Sequence, residues 1–191
     1  ALDEFHFGGV ILFANNVKET EQTLKLTRDM QAAALQNSKH DPCGDIPLFL
    51  TIDQEGGIVY RLGSGTALPG NMAVGATRNP DYAQECGEII GRELSALGIN
   101  VNFAPVFDVN NNPSNPVIGL RSFGEKPELV SSMGVAMMKG MQKYNIIATA
   151  KHFPGHGDVA VDSHIGLPRV DKTKEQLENL EFIPFKAAVK S

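Results

Sequence analysis

A chain of 191 residues, 42 % of them hydrophobic, is long enough to form one domain with a sizeable core. Its net charge is −5 and no cluster of Lys and Arg stands out, so neither nucleic acid nor an anionic membrane is expected as a partner. No apolar run approaches the roughly 18 residues of a membrane-spanning helix. The two cysteines, Cys43 and Cys86, lack a metal-binding or redox spacing, and we expect both to be unpaired, Cys43 in a loop and Cys86 on the core face of a helix.

Short apolar runs predict four buried strands. The strands cover residues 8–14, 47–52, 100–108 and 146–152. Because these runs are continuously apolar rather than alternating, we expect both faces of their sheet to be covered. The glycine-rich segment 56–75 is predicted to be a long, irregular loop.

Helical patterns separate the strands and continue after the last one. The first helix is predicted from about Lys18 to Gln36, and two more begin at Pro80 and Pro127. A capping box, Thr173-x-x-Gln176, predicts the start of a later helix, and Pro184 marks a further start. The expected core stripes of the second and third helices are Tyr82, Cys86, Ile90, Leu94 and Leu97, and Val130, Met133, Met137 and Met141.

The alternation of strands and helices predicts an α/β fold with parallel strands. Both (β/α)8 barrels and doubly wound sheets place their functional sites at the carboxyl ends of these strands. Four βα units are half of a (β/α)8 barrel, so we interpret the chain as a fragment of one. Polar residues directly follow each predicted strand or close it: Asn15 and Asn16, Asp53 with Gln54 and Glu55, Asp108, and Lys151 with His152.

Lys151 and His152 give the sharpest local signal, because they end a buried strand and a glycine-rich loop follows them. A cation and an imidazole donor held on a rigid strand end suit a polar ligand such as a sugar with several hydroxyl groups. The alternative is a lysine in solvent beside a histidine of the core. Three histidines and two acids within thirteen residues favour a catalytic loop.

Asp162 and His164, in that loop, have the spacing of an orienting pair. A carboxylate near an imidazole fixes its tautomer and raises its pKa, which suits a general acid at neutral pH. The alternative is a pair of solvated loop residues, because an Asp-x-His spacing is common by chance.

A metal site was weighed for the same loop, with His152, His156, His164 and Asp158 as its ligands. Pro154 and Gly155 rule out the helical arrangement of two histidines, and no glutamate is placed as the partner base. We therefore expect no metal and no other cofactor.

Three further charged residues are candidates for ligand binding. Asp53 follows a buried strand and could accept hydrogen bonds from two neighbouring sugar hydroxyls. Arg61 lies in the loop after it, and Arg121 lies in a loop punctuated by Gly and Pro. For each, a structural ion pair or a cap is the alternative.

Lys151-His-Phe-Pro-Gly-His-Gly-Asp158, followed by Asp162-Ser-His164, closely resembles the signature of family-three glycoside hydrolases in their β-N-acetylglucosaminidase branch. The resemblance covers nearly the whole chain in the expected order. Its other matching stretches are Gly9-Val-Ile-Leu-Phe13, Ile52-Asp-Gln-Glu-Gly-Gly57 through Arg61-Leu62, Phe103-Ala-Pro-Val-Phe-Asp108 and Gly119-Leu-Arg-Ser-Phe123.

This resemblance implies a (β/α)8 TIM-barrel-like catalytic domain, of which residues 1–191 are the first half to two-thirds, with no second domain. It implies a retaining β-N-acetylhexosaminidase that removes terminal β-linked N-acetylglucosamine from small glycans, such as bacterial cell-wall recycling fragments. The implied partners are a small carbohydrate substrate and the missing remainder of the barrel.

The resemblance also implies the role of each site residue. Asp53 accepts hydrogen bonds from the sugar's outer hydroxyls, His164 is the acid/base and Asp162 orients it. The remaining contacts with the sugar are made by Arg61, Arg121, Lys151 and His152.

One element of the family's pattern lies beyond this chain. The nucleophile of the family is an aspartate on a later strand, in a Ser-Asp-Asp type motif, and none follows His164 here. We therefore expect the chain alone to be inactive. A β-glucosidase or xylosidase of the same family, a non-catalytic sugar-binding module and a metal-dependent hydrolase remain as alternatives.

Overall fold

The computed structural model describes residues 2–5, 7–37, 46–159 and 169–191. Within these ranges four parallel strands form one sheet in the order β1-β2-β3-β4. The strands are β1 Gly9–Leu12, β2 Phe49–Ile52, β3 Val101–Asn102 and β4 Ile147–Ala148. The helices are α1 Leu2–Phe5, α2 Thr20–Asn37, α3 Asn71–Ala76, α4 Pro80–Ala96, α5 Pro127–Gln142, α6 Lys174–Asn179 and α7 Phe182–Lys190. The α/β class and the parallel sheet that the sequence predicts are confirmed.

The strands are shorter than predicted, and the third differs most. Only Val101–Asn102 pairs as a strand within the predicted range 100–108. The chain returns to the sheet at Val106, which forms an isolated parallel bridge with Lys151. Between these points lies Pro105, which has no N–H to donate to a neighbouring strand. The bridge nevertheless places Lys151 at the carboxyl edge of the sheet.

One face of the sheet is partly open, so the expectation that both faces are covered does not hold for the whole of the described sheet. Ile11, Phe49 and Ile147 are 39 %, 55 % and 52 % exposed. The strand register places them on the same face, because side chains alternate and Ile11 is level with Ile147 across the intervening strands. Leu50 and Ile52 lie on the other face and are fully buried.

Helices α4 and α5 pack backbone to backbone. A Cβ built on Gly87 would lie 2.1 Å from the carbonyl oxygen of Met137, and one built on Gly140 would lie 2.3 Å from that of Gln84. No real side-chain carbon tolerates such distances, so glycine at both positions allows the close approach. The pair encloses a core that includes Ile90, Leu94, Met133, Met137 and Met141.

The buried stripe of α4 differs from the predicted one at its first position. Tyr82 is 52 % exposed, and the neighbouring Ala83 is fully buried in its place. A small residue is needed there because α5 lies so close. Cys86 is a buried free cysteine on this helix, as predicted, and Cys43 lies outside the described residues.

Short helical elements occur where an irregular loop was expected. α3 begins inside the glycine-rich segment 56–75 and ends one residue beyond it, and its Gly75 permits contact with the backbone of Phe123. Near the carboxyl end of the chain, the predicted capping box at Thr173 is present, and α7 begins two residues before Pro184. None of the described helices is long and apolar enough to cross a membrane.

Candidate functional site

Three charged residues meet at the carboxyl edge of the sheet. Lys151 Nζ lies 2.7 Å from Asp53 Oδ1 and 2.6 Å from Glu55 Oε1. The strand register explains why these residues meet, because the carboxyl ends of β2 and β4 lie on the same edge of the sheet with β3 between them. Both ion pairs are largely shielded from water, since the side chain of Lys151 is 12 % exposed.

Glu55 is the centre of this cluster, and the sequence analysis did not assign it a role. Its buried carboxylate accepts hydrogen bonds from Arg121 Nε at 2.9 Å and Nη2 at 2.8 Å, in addition to the contact with Lys151. Burial alone would raise the pKa of Glu55, but hydrogen bonds and charge from Arg121 and Lys151 outweigh it and lower the pKa. The available signal was its position just after a buried strand.

Arg121 ends a 3-10 helix, Gly119–Arg121, which turns its side chain toward Glu55. Its carbonyl oxygen accepts a hydrogen bond of 2.7 Å from Asn71 Nδ2, so α3 fixes its backbone. Burial would lower the pKa of Arg121, and the hydrogen bond to Glu55 raises it above its ordinary value. Its Nη2 also lies 3.2 Å from His152 Nε2.

Asp108 is a second buried carboxylate that the sequence analysis noted but did not assign to the site. Its Oδ2 accepts from the backbone N–H of His152 at 3.1 Å and lies 2.6 Å from His152 Nδ1. Its Oδ1 accepts from the backbone N–H of His156 at 2.7 Å. Asp108 therefore fixes the loop between these two histidines at both ends.

Arg61 has a different environment from the other predicted binding residues. Its backbone N–H donates to Gln54 Oε1 at 2.7 Å, and its guanidinium donates to the carbonyl oxygen of Tyr60 at 3.2 Å. Within the described ranges no hydrogen bond or ion pair joins Arg61 to Lys151 or Arg121. The structure thus brings four predicted residues into one connected group: Asp53, Arg121, Lys151 and His152.

The loop after His152 is held by a group of charged residues that we call the loop clamp: Asp158, Lys172 and Glu181. Lys172 Nζ lies 2.6 Å from Asp158 Oδ2 and also donates to Glu181 Oε1. Burial would lower the pKa of Lys172, and the hydrogen bonds to Asp158 and Glu181 raise it. Phe153 adds an apolar anchor by stacking on Phe182 of α7, with ring centroids 5.3 Å apart.

The two predicted catalytic residues, Asp162 and His164, lie outside the described residues. Their roles therefore remain predictions. Of the loop histidines that were weighed as metal ligands, His152 and His156 pack edge to face with centroids 5.8 Å apart. Among the described residues, no group of three His, Cys, Asp or Glu side chains is arranged to hold a metal ion.

The positive charges of Lys151 and Arg121 are compensated within the protein. Two cations, Lys151 and Arg121, face the carboxylates of Asp53 and Glu55. Such a site offers hydrogen-bond donors and acceptors side by side without a free positive charge. This suits a neutral ligand that carries many hydroxyl groups better than an anion.

The whole chain, residues 1–191, matches the model of the glycosyl hydrolase family 3 N-terminal domain. It is 45 % identical over 195 residues to the beta-hexosaminidase A of Pseudoalteromonas piscicida, covering 100 % of this chain and 32 % of that protein. It is 36 % identical to the beta-hexosaminidase of Idiomarina loihiensis, covering 93 % of this chain and 52 % of that protein.

Similarity to a solved structure agrees with this. The glycoside hydrolase family 3 beta-N-acetylglucosaminidase of Paenibacillus sp. is 47 % identical, with a TM-score of 0.93, over 99 % of this chain and 35 % of that one. This chain therefore spans about a third to a half of the length of these relatives. Its match over all 191 residues shows that the chain belongs to the glycosyl hydrolase family 3 N-terminal domain family, whose TIM-barrel-like fold its parallel sheet and alternating helices represent in part.

Proposed function

We propose that the natural protein containing this chain is a retaining β-N-acetylhexosaminidase. Its substrates would be small glycans, such as cell-wall fragments, that carry a terminal β-linked N-acetylglucosamine. The observation that carries the proposal is the charge-compensated group of Asp53, Glu55, Arg121 and Lys151 at the carboxyl edge of the sheet. The names of the relatives, β-hexosaminidase and β-N-acetylglucosaminidase, support the substrate class.

Asp53 and Lys151 make the main contacts to the sugar. Lys151 uses two of its three N–H groups on carboxylates, which leaves one for a ligand hydroxyl. Asp53 uses Oδ1 for Lys151, and among the residues that the structure describes no hydrogen bond occupies its Oδ2, which we assign as an acceptor for the sugar. Arg121 and His152 complete the subsite, and Arg61 contributes from its flanking loop.

His164 carries the proton transfers, and Asp162 orients it. In the first step His164 donates a proton to the glycosidic oxygen while a carboxylate nucleophile outside this chain attacks the anomeric carbon. In the second step the neutral imidazole takes a proton from the water that displaces this carboxylate, which restores the enzyme with retention of configuration.

The proposal is tested by release of chromogen from an aryl β-N-acetylglucosaminide, with the aryl β-glucoside as the competing substrate. We expect the natural full-length protein to act on the N-acetyl substrate and this chain alone to act on neither. Preference for the glucoside would assign the protein to the β-glucosidase alternative. Activity of this chain alone would contradict the placement of the nucleophile outside it.

A variant of Asp53 tests the binding role of the site. We expect Asp53→Asn to abolish measurable binding of N-acetylglucosamine in calorimetric titration. The neutral amide is a weaker acceptor for the sugar hydroxyls than the carboxylate, and it is also a weaker partner for Lys151. Asp29→Asn, an exposed acid on α2, is the matched control and should leave binding unchanged. Unchanged affinity in Asp53→Asn would remove Asp53 from the site.

A further inference from the structure

The hydrogen-bond partners of His152 determine which of its ring nitrogens carries the proton. His152 Nε2 lies 3.2 Å from Arg121 Nη2. A guanidinium nitrogen has N–H groups and no acceptor, so in this contact Arg121 donates. Nε2 must therefore present its lone pair, and a neutral ring then carries its hydrogen on Nδ1.

The opposite side of the ring agrees independently. Nδ1 lies 2.6 Å from Asp108 Oδ2, and a carboxylate is an acceptor. Asp108 is fully buried and also accepts from the backbone N–H groups of His152 and His156, so it cannot turn away from the ring. Two neighbours of opposite hydrogen-bonding character thus impose one tautomer on the same imidazole.

We propose that His152 works in the site as a neutral hydrogen-bond acceptor at Nε2, and that Asp108 is the positioning residue that fixes this tautomer. This deepens the proposed function and rests on it for the ligand, which is a sugar hydroxyl. The hydroxyl donates its hydrogen to Nε2 and accepts the N–H that Arg121 releases. The sequence predicts a hydrogen-bond donor at this position, whereas the two contacts of the ring favour an acceptor.

The tautomer is measured first, in the ligand-free protein, so that the result does not depend on activity. In protein with 15N-labelled histidine, we expect His152 to show a protonated Nδ1 and an unprotonated Nε2 at neutral pH. The signals are assigned by their loss in His152→Gln. A protonated Nε2, in either a neutral or a charged ring, would overturn the proposal and leave the proposed function standing.

Two substitutions then test the acceptor in sugar binding. Glutamine places a carbonyl oxygen near the position of Nε2, whereas methionine fills a similar volume without an acceptor of comparable strength. We expect His152→Gln to bind N-acetylglucosamine within about fivefold of the wild type and His152→Met to bind it roughly 10- to 100-fold more weakly, the loss expected for one buried hydrogen bond. Equal losses in both variants would refute the acceptor role, whereas a wild type that binds no sugar would refute the proposed function instead.

Discussion

Arg121 and Glu55 face each other through two parallel N–H···O bonds of 2.9 and 2.8 Å, with their side chains 12 % and 1 % exposed. The same carboxylate also receives Lys151. A buried ion pair of this kind adds little net stability compared with apolar packing, but removal of one partner leaves the other charge buried and uncompensated. Glu55 therefore holds the cations of Arg121 and Lys151 in place.

We expect Glu55→Gln to destabilise the fold by about 3 kcal/mol, because Arg121 and Lys151 would lose a charged partner in a buried site. The free energy of unfolding in urea measures this. Glu88→Gln is the matched control, since Glu88 pairs with Lys143 in an exposed ion pair on the helix surface and its loss should matter little. An equal effect of both substitutions would contradict the central position of Glu55.

Stability should also depend on pH through Glu55. Its pKa in the folded protein lies below the ordinary value of 4.5, because the hydrogen bonds from Arg121 and the charge of Lys151 outweigh the effect of burial. Such a carboxylate binds its proton more weakly in the folded state than in the unfolded state. Its contribution is therefore complete above pH 4.5 and is lost as the pH falls through the folded pKa. In urea unfolding at decreasing pH, the free energy of unfolding should fall more steeply for the wild type than for Glu55→Gln. Parallel curves for the two proteins would show that Glu55 does not cause the pH dependence.

The loop clamp makes a local prediction. Lys172→Met removes the cation that joins Asp158 to Glu181 and should loosen the loop that follows His152. We expect the backbone amides of Phe153 and of residues 155–159 to exchange with solvent several-fold faster, while the amides of α4 keep their rates. Lys174→Met, which changes an exposed lysine two residues away, is the control. Unchanged exchange in the loop would show that the loop clamp does not stabilise it.

A substitution of His164 tests the acid in the full-length protein. We expect His164→Ala to reduce turnover of natural glycans roughly 10²- to 10⁴-fold, because their leaving groups need protonation. Turnover of aryl glycosides should fall much less, because these substrates have good leaving groups. Turnover numbers for both substrate types measure the difference, and equal losses would remove His164 from the role of the acid.

The contact between α4 and α5 gives a prediction about packing. Gly140→Ala would place a methyl group 2.3 Å from the carbonyl oxygen of Gln84, so the helices must separate. We expect a loss of about 1–3 kcal/mol in the free energy of unfolding, as for other overpacked cores. Gly63→Ala is the control, because no atom lies within 4 Å of the added carbon. An unchanged free energy of unfolding in Gly140→Ala would show that the helices can move apart freely.

The periodic parts of the fold were predictable because their signals are local. Pro80 and Pro127 mark the helix starts where the structure has them, and Val130, Met133, Met137 and Met141 are all buried as expected. Tyr82 was not predictable as an exposed residue, because the buried face of α4 is set by the close approach of α5 at Gly87 and Gly140. Short apolar runs also do not reveal how few residues pair, as Val101–Asn102 shows.

Part of the site was predictable from strand ends, and part was not. Asp53 and Lys151 were identified because each stands at the carboxyl edge of a sheet. Glu55 and Asp108 stand at similar positions, but their importance arises from partners far away in the sequence: Arg121 for Glu55, and the loop at His152 for Asp108. A pattern read along the chain does not contain such partners.

The internal compensation of charge at Lys151 and Arg121 has a consequence for the conditions under which the site works. Each cation already has a carboxylate partner within the protein, so a neutral ligand would displace no bound counterions. For the proposed sugar ligand we therefore expect an affinity nearly independent of ionic strength, without competition from inorganic phosphate or sulfate.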